Sequence, residues 1–195
     1  MRLLTTLLLL SISPNVLTQT TVRNWVHTEE QYSDADGNTL TITNSFPKGG
    51  GTYTDSEGNT YSYVVFWYRV TNEFEAPMEL ELNFPAGPFR FFPSSESHIR
   101  LFLPSETMTL EKIDAFDYGL SNLKDILDAL FNKPARLKKT INPKEEYLFY
   151  VSMLMYQVEG TARTALVVKG NDLYYEISIN PNSAQISCGK ITFKN

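Results

Sequence analysis

Tyr61-Ser62-Tyr63-Val64-Val65-Phe66-Trp67-Tyr68-Arg69-Val70-Thr71 is apolar on both faces of an extended chain. Side chains alternate along a strand, so Val64, Phe66, Tyr68 and Val70 share one face and Tyr63, Val65 and Trp67 the other. Residues 147–158 repeat the pattern, with Leu148, Tyr150 and Leu154 opposed to Phe149, Val151, Met153 and Met155. Each large apolar side chain left in water forfeits roughly 1.5–3 kcal/mol, so both strands demand cover on both sides. A facing sheet supplies one cover. A helix, a loop or a partner chain must supply the other.

Around these two strands the β rhythm continues. Residues 78–84 alternate cleanly, Leu80, Leu82 and Phe84 against Glu79, Glu81 and Asn83, as in a strand with one wet face. Further strands are expected at 98–103, 107–112, 163–169, 173–179 and 186–193, with turns at Gly160, Gly170-Asn171-Asp172 and Asn180-Pro181-Asn182. Tyr32-Ser33-Asp34-Ala35-Asp36-Gly37-Asn38-Thr39 recurs as Tyr53-Thr54-Asp55-Ser56-Glu57-Gly58-Asn59-Thr60. Asp opens a turn through its side chain and Gly closes it at positive φ. Both copies therefore read as hairpin tips, with Gly49-Gly50-Gly51 a flexible connection between them. One segment departs: Leu120, Leu123, Leu127 and Leu130 fall at helical spacing, with Ser121 as N-cap and Pro134 as the stop. The expected fold is all-β, an antiparallel sandwich of nine or ten strands with one amphipathic helix over 119–131 laid across a sheet.

Ile141-Asn142-Pro143-Lys144-Glu145-Glu146-Tyr147, followed by Phe149 and Val151, resembles the corner that leads into a late strand of fibronectin type III and immunoglobulin-like domains. The resemblance implies an immunoglobulin-like sandwich in which the Tyr147 hydroxyl ties back to the backbone. The helix and the extra strands depart from a minimal domain of that kind. It implies a fold and no function.

The N-terminus reads as an export signal. Arg2 precedes an apolar run over 3–12, and Val16-Leu17-Thr18 offers small residues for cleavage. The run is too short to anchor in a bilayer, which takes roughly 20 residues. Cleavage after Thr18 leaves one domain over 19–195, and loss of Arg2 takes the net charge from −5 to −6. A mildly acidic chain has no electrostatic attraction to nucleic acid or anionic lipid. Cys188 is the only cysteine, so no internal disulfide forms and stability must come from burial. With no Asn-x-Ser/Thr sequon and no lipoprotein cysteine, the expectation is a periplasmic or secreted bacterial protein without a membrane-spanning segment after cleavage.

Few constellations point to chemistry. Asp34, Asp36 and Asn38, and again Asp55, Glu57 and Asn59, open like a calcium loop. However, Thr39 and Thr60 stand where its glycine belongs, and Ser45 and Phe66 where the closing glutamate belongs. A cation fits only if the two tips share a site; a solvated turn is the plainer reading. A hydrolase would have to join Cys188 or an acid pair to His27 or His98, yet Cys188 sits in an ordinary strand pattern. There is no Gly-x-Ser-x-Gly elbow, no His-x-x-x-His and no phosphate loop followed by a helix. No cofactor is expected.

Three surface features remain. Phe84-Pro85-Ala86-Gly87-Pro88-Phe89-Arg90-Phe91-Phe92-Pro93 is either a plug at the end of the sandwich or, if Phe89, Phe91 and Phe92 face outward, a partner site. Lys133, Arg136, Lys138, Lys139 and Lys144 read as a solvated helix exit and loop, or more sharply as an anion site. Trp25 and Trp67 are candidate platforms for sugar rings. The expected function is a non-catalytic binding or assembly module of the bacterial envelope, meeting another envelope protein or itself. The alternative is a carbohydrate-binding module or glycan-directed hydrolase using surface aromatics.

Overall fold

A computed structural model describes residues 18–23, 28–33 and 39–194, the first segment by its backbone pairing only. Residues 1–17 of the expected leader, Trp25, His27, Asp34, Asp36 and Asn38 lie outside the described residues, whereas Thr18, its last residue, starts β1. Among the described residues there are twelve strands. They are β1 (Thr18–Arg23), β2 (Thr28–Ser33), β3 (Thr39–Asn44), β4 (Lys48–Thr54), β5 (Thr60–Asn72), β6 (Met78–Phe84), β7 (His98–Phe102), β8 (Ala135–Ile141), β9 (Glu146–Tyr156), β10 (Arg163–Lys169), β11 (Asp172–Ile179) and β12 (Asn182–Phe193). One sheet runs β1-β2-β3-β5-β9-β7, with β4 also pairing β5; the other runs β10-β11-β12-β6-β8. All the pairings are antiparallel, and the fold is an all-β, two-sheet sandwich.

The two-faced strands lie together at the centre of the first sheet, β5 against β9 from Ser62↔Met155 to Thr71↔Glu146. Their inner faces, including Phe66, Tyr68, Val70, Phe149 and Val151, pack against Leu80, Leu82, Tyr175, Ile177 and Ile191 of the second sheet. Between the sheets the Tyr68 hydroxyl donates to the Tyr175 hydroxyl at 2.7 Å. The same oxygen lies 2.5 Å from Thr164 Oγ1. Three hydroxyls thus satisfy one another across the core, as buried polar groups must. The outer faces, Val65, Trp67 and Tyr150, are covered by the chain itself. Met108, Tyr118 and Leu120 pack on them, with Leu123, Ile126 and Leu127 of the helix α1 (Leu123–Leu130) alongside. The second cover demanded by the sequence is therefore intramolecular.

That helix is shorter than the expected 119–131. Asp117, Tyr118 and Gly119 are left-handed at φ 48°, 55° and 68°, and the N-cap is Asn122 at φ 52° rather than Ser121. Ser121 gives its backbone N–H and hydroxyl to Glu106 Oε2 instead, at 3.2 and 3.1 Å. The expected strand at 107–112 is likewise a 3-10 turn at Leu110–Lys112, because the Lys112 ammonium folds back onto Glu106 and the Thr107 carbonyl. No helix among the described residues is long and apolar enough to cross a membrane.

Two strands were hidden by their composition. The basic run 135–141 is β8, paired to β6, with Lys138 opposite Glu81 and ion-paired to Glu79 and Glu81 at 2.7 and 2.6 Å. Lysine is a poor strand former alone, but opposite charges across a wet face favour the pairing. Glycines 49–51, expected as a flexible link, belong to β4, which shifts register between Gly49 and Thr52. A Cβ on Gly51 would fall 2.6 Å from the Tyr63 ring, so any larger residue there displaces that ring.

The 141–147 corner exists, but asparagine holds it. Asn72, fully buried at the end of β5, donates through Nδ2 to the carbonyls of Ala76, Ile141 and Asn142 and accepts from the Phe74 N–H. Its backbone exchanges bonds with Lys144 and Glu145. The Tyr147 hydroxyl has no hydrogen bond among the described residues; its ring stacks on Phe149 beneath the Lys139 ammonium.

Candidate ligand groove between the sheets

Along residues 40, 42, 44 and 46 the inward row reads Leu, Ile, Asn, Phe, so a polar side chain stands where the alternation calls for an apolar one. Leu40 and Ile42 enter the core, whereas Asn44 meets the second sheet's edge strand β10, its Oδ1 accepting the Leu166 N–H at 2.8 Å. There the walls part. An open groove of about 790 Å³ runs between Thr28, Glu30 and 44–46 on one wall and 163–165, 176–178 and 183–185 on the other. That volume lies within the usual range for small-molecule sites, ~300–1,000 Å³.

Both walls of the groove carry polar side chains among apolar ones such as Phe46, Ala165, Ile177 and Ala184. Asn44 is 1% exposed, and its Nδ2 has no hydrogen-bond partner. A buried donor left unmade costs about 1–3 kcal/mol, so the position is strained for want of an acceptor. Thr28 stands directly opposite Asn44 in the β2–β3 ladder, and Glu30, two residues on, shares the same face. The Glu30 carboxylate accepts the Tyr32 hydroxyl at 2.7 Å. The Arg163 guanidinium lies 5.0 Å from the Phe46 ring centre, within cation–π reach. On the far wall Glu176 accepts from Gln185 Nε2 at 2.6 Å. Ser45 is spent on structure, accepting the Trp67 N–H and donating to the Phe46 carbonyl. None of these groove residues was singled out from the sequence as a binding residue. The asparagine interrupting an apolar row was the available signal.

The residues that sequence reasoning did single out are placed elsewhere. Trp67 is 2% exposed and meets Tyr118 edge-on, so the strand that carries it leaves no ring face for a sugar. Both Asp55 oxygens are saturated: Oδ1 accepts the N–H groups of Glu57 and Asn59, and Oδ2 accepts Asn59 Nδ2 and the Tyr61 hydroxyl. Those bonds hold the Asp55 carboxyl below the usual carboxylate range against the opposing effect of desolvation. The turn thus spends its lead acid on its own backbone, and among the described residues no group of three acidic, His or Cys side chains is placed to hold a metal. Phe89, Phe91 and Phe92 are half-buried against the core, Phe91 stacked on Phe92, and Phe89 bridges Ile99 on the edge of β7. They form the plug.

Among the described residues, Cys188 and His98 lie on different sheets. Cys188 is buried in β12 of the second sheet, where desolvation pushes its thiol up to about 12 and keeps it protonated. His98 belongs to β7 of the first sheet, boxed by the Tyr61 and Tyr156 rings with Nδ1 at 2.8 Å from the Glu96 carbonyl. Burial lowers its pKa and favours the neutral ring.

A second hollow, of about 930 Å³, opens beside 47–50, 114–116 and 158–162, with Phe116 75% exposed on its rim. Its cation is already used: the Lys48 ammonium sits on the Ile113 and Ala115 carbonyls, over the Tyr118 ring. Next to it Asp117 is buried, Oδ2 accepting the Tyr63 hydroxyl at 3.0 Å and Oδ1 without a partner. Burial raises the Asp117 pKa above the usual carboxylate range. The folded state therefore holds this proton where the unfolded chain has released it, and stability declines as pH rises through the interval between the two values, then levels off. Asn keeps the shape, accepts from Tyr63 and tolerates left-handed φ. Asp117→Asn is expected to stabilise the protein by about 1 kcal/mol at neutral pH, with the gain shrinking toward acid. Urea midpoints across pH check this, and a gain independent of pH would contradict it.

No protein-family model, no curated protein and no solved structure matches the chain.

Proposed function

We propose that this chain is an exported, non-catalytic binding module of the bacterial envelope, built on an immunoglobulin-like sandwich, that takes a small polar ligand into the inter-sheet groove. The observation carrying the proposal is the Asn44 amide, a buried donor without an acceptor in a groove of ligand size. Export is supported by Arg2 and the apolar run over 3–12. The immunoglobulin-like assignment is supported by the two antiparallel sheets and the corner entering β9, with Asn72 in the tying role. Binding is favoured over self-assembly because the outer faces of β5 and β9 are covered from within and Phe89, Phe91 and Phe92 lie half-buried.

Two experiments test this. Full-length protein expressed in a bacterium is expected in the periplasmic or medium fraction with its N-terminus near Gln19; unprocessed cytosolic protein would overturn export. A thermal-shift screen of small polar metabolites is run on the wild type and on Ser183→Trp, which fills the exposed rim of the groove. At least one compound is expected to stabilise the wild type alone. Identical responses from both proteins across the whole screen would overturn the groove as the binding site.

A further inference from the structure

We infer that the ligand class of this groove is a neutral saccharide, an inference that rests on the binding role proposed above. Each charge in the groove already has a neighbour: Glu30 takes the Tyr32 hydroxyl, Glu176 takes Gln185, and Arg163 lies on Phe46. An anionic ligand entering between the walls meets Glu30 and Glu176, and a cationic one meets Arg163. Desolvating a charge beside a like charge is unfavourable, so the lining selects a ligand without net charge.

The polar groups that remain ask for hydroxyls. Asn44 Nδ2 needs an oxygen acceptor, and the Thr28 hydroxyl directly across the ladder donates or accepts. Ser178 and Ser183 line the opposite wall. A ligand that answers all of these must present several groups, each able both to donate and to accept, on a neutral frame. A sugar does so. An apolar ligand would leave Asn44 Nδ2 buried and unsatisfied, and the resulting loss would set it apart from a hydroxylated one. The aromatic contribution is small, because Arg163 occupies one face of Phe46. Recognition here is by hydrogen bonds from the groove walls and leaves Trp67 in the core.

The test uses the mature chain labelled with ¹⁵N and titrated with maltotriose, cellotriose and N,N′,N″-triacetylchitotriose, reading backbone and side-chain amide signals. At least one trisaccharide is expected to shift the Asn44 Nδ2 pair saturably, together with the Thr28 and Ser45 amides. Ser183→Trp should weaken that response at least tenfold. Asn44→Asp, which keeps an acceptor for the Leu166 N–H and removes the donor, should abolish the response while the backbone spectrum stays folded. If Asn44→Asp does not fold, the Ser183→Trp comparison decides alone. Parallel titrations with glutamate, spermidine and adenosine monophosphate separate the two levels of the argument. Groove shifts from any of these, with none from the trisaccharides, would overturn the saccharide inference and leave a binding groove standing. Silence of the groove toward every probe would overturn the saccharide inference, and the binding role itself falls if the metabolite screen also fails. Shifts elsewhere that are unaffected by Ser183→Trp would overturn it equally.

Discussion

Asn72→Ala is expected to lower the unfolding free energy by about 3 kcal/mol, a large fraction of what holds a domain of this size. The side chain is fully buried and serves the carbonyls of Ala76, Ile141 and Asn142 and the N–H of Phe74 at once. Alanine removes every one of these partners without giving the buried groups access to water, and a buried polar group left unmade costs about 1–3 kcal/mol. The residue joins the end of β5 to the turn that starts β9, so the loss falls on the central strand pair. Tyr147→Phe is the comparison. A conventional tyrosine corner would make it the damaging change, whereas here it should shift stability by less than about 0.5 kcal/mol. Denaturant midpoints for the two variants check the ordering, and a reversed order would show that tyrosine ties this corner.

The second large effect is expected at Gly189, on the β12 strand opposite Leu82 of β6. Its φ is 157°, and a Cβ built there would lie 1.9 Å from the Glu81 carbonyl oxygen and 2.8 Å from its carbon. Both clashing atoms are backbone, so no rotamer change relieves them. Gly189→Ala must open the β12–β6 ladder beside Cys188 and Ile191. A loss of about 3 kcal/mol or failure to fold is expected. Gly170→Ala separates this clash from conformational preference. Gly170 has φ 63° with nothing near its missing Cβ. There the left-handed penalty alone should apply, about 1–2 kcal/mol. Thermal unfolding of both variants gives the comparison, and equal losses would contradict a steric origin.

These two positions show what the chain discloses when read as a sequence. The sandwich was legible because its evidence is periodic: Leu80, Leu82 and Phe84 alternate with Glu79, Glu81 and Asn83, and β5 and β9 are apolar on both faces. The turn at 55–59 was legible because Asp and Gly have local work there, which Asp55 does through four bonds within six residues. Strand β8 was not, since its pairing depends on Glu81 lying opposite Lys138, with Glu79 in ion-pair reach of the same ammonium, a fact about register across 57 residues. The helix was placed but overextended: around the left-handed residues 117–119 and 122 the chain is tied down by Lys48 at the Ala115 carbonyl, Tyr63 at Asp117 and Glu106 at Ser121, contacts that no local pattern announces. The groove was the least legible part. Asn44 is an ordinary polar residue until β10 comes alongside and takes its oxygen, leaving the nitrogen buried without a partner at a residue that lines the groove. Aromatic residues drew attention as sugar platforms, yet Trp67 is consumed by the core because its strand is buried on both sides.

The central claim is that segment 104–131 of the same chain, and no partner, closes the outer face of β5 and β9. Trp67 lies on that face beneath Tyr118 and Leu120 and reports on it directly. Trp25→Phe leaves Trp67 as the only tryptophan. At a dilution where light scattering gives a monomer, its fluorescence should be blue-shifted and unquenched by iodide. Red-shifted emission readily quenched by iodide in that monomer would contradict the claim and return the outer face to an interface.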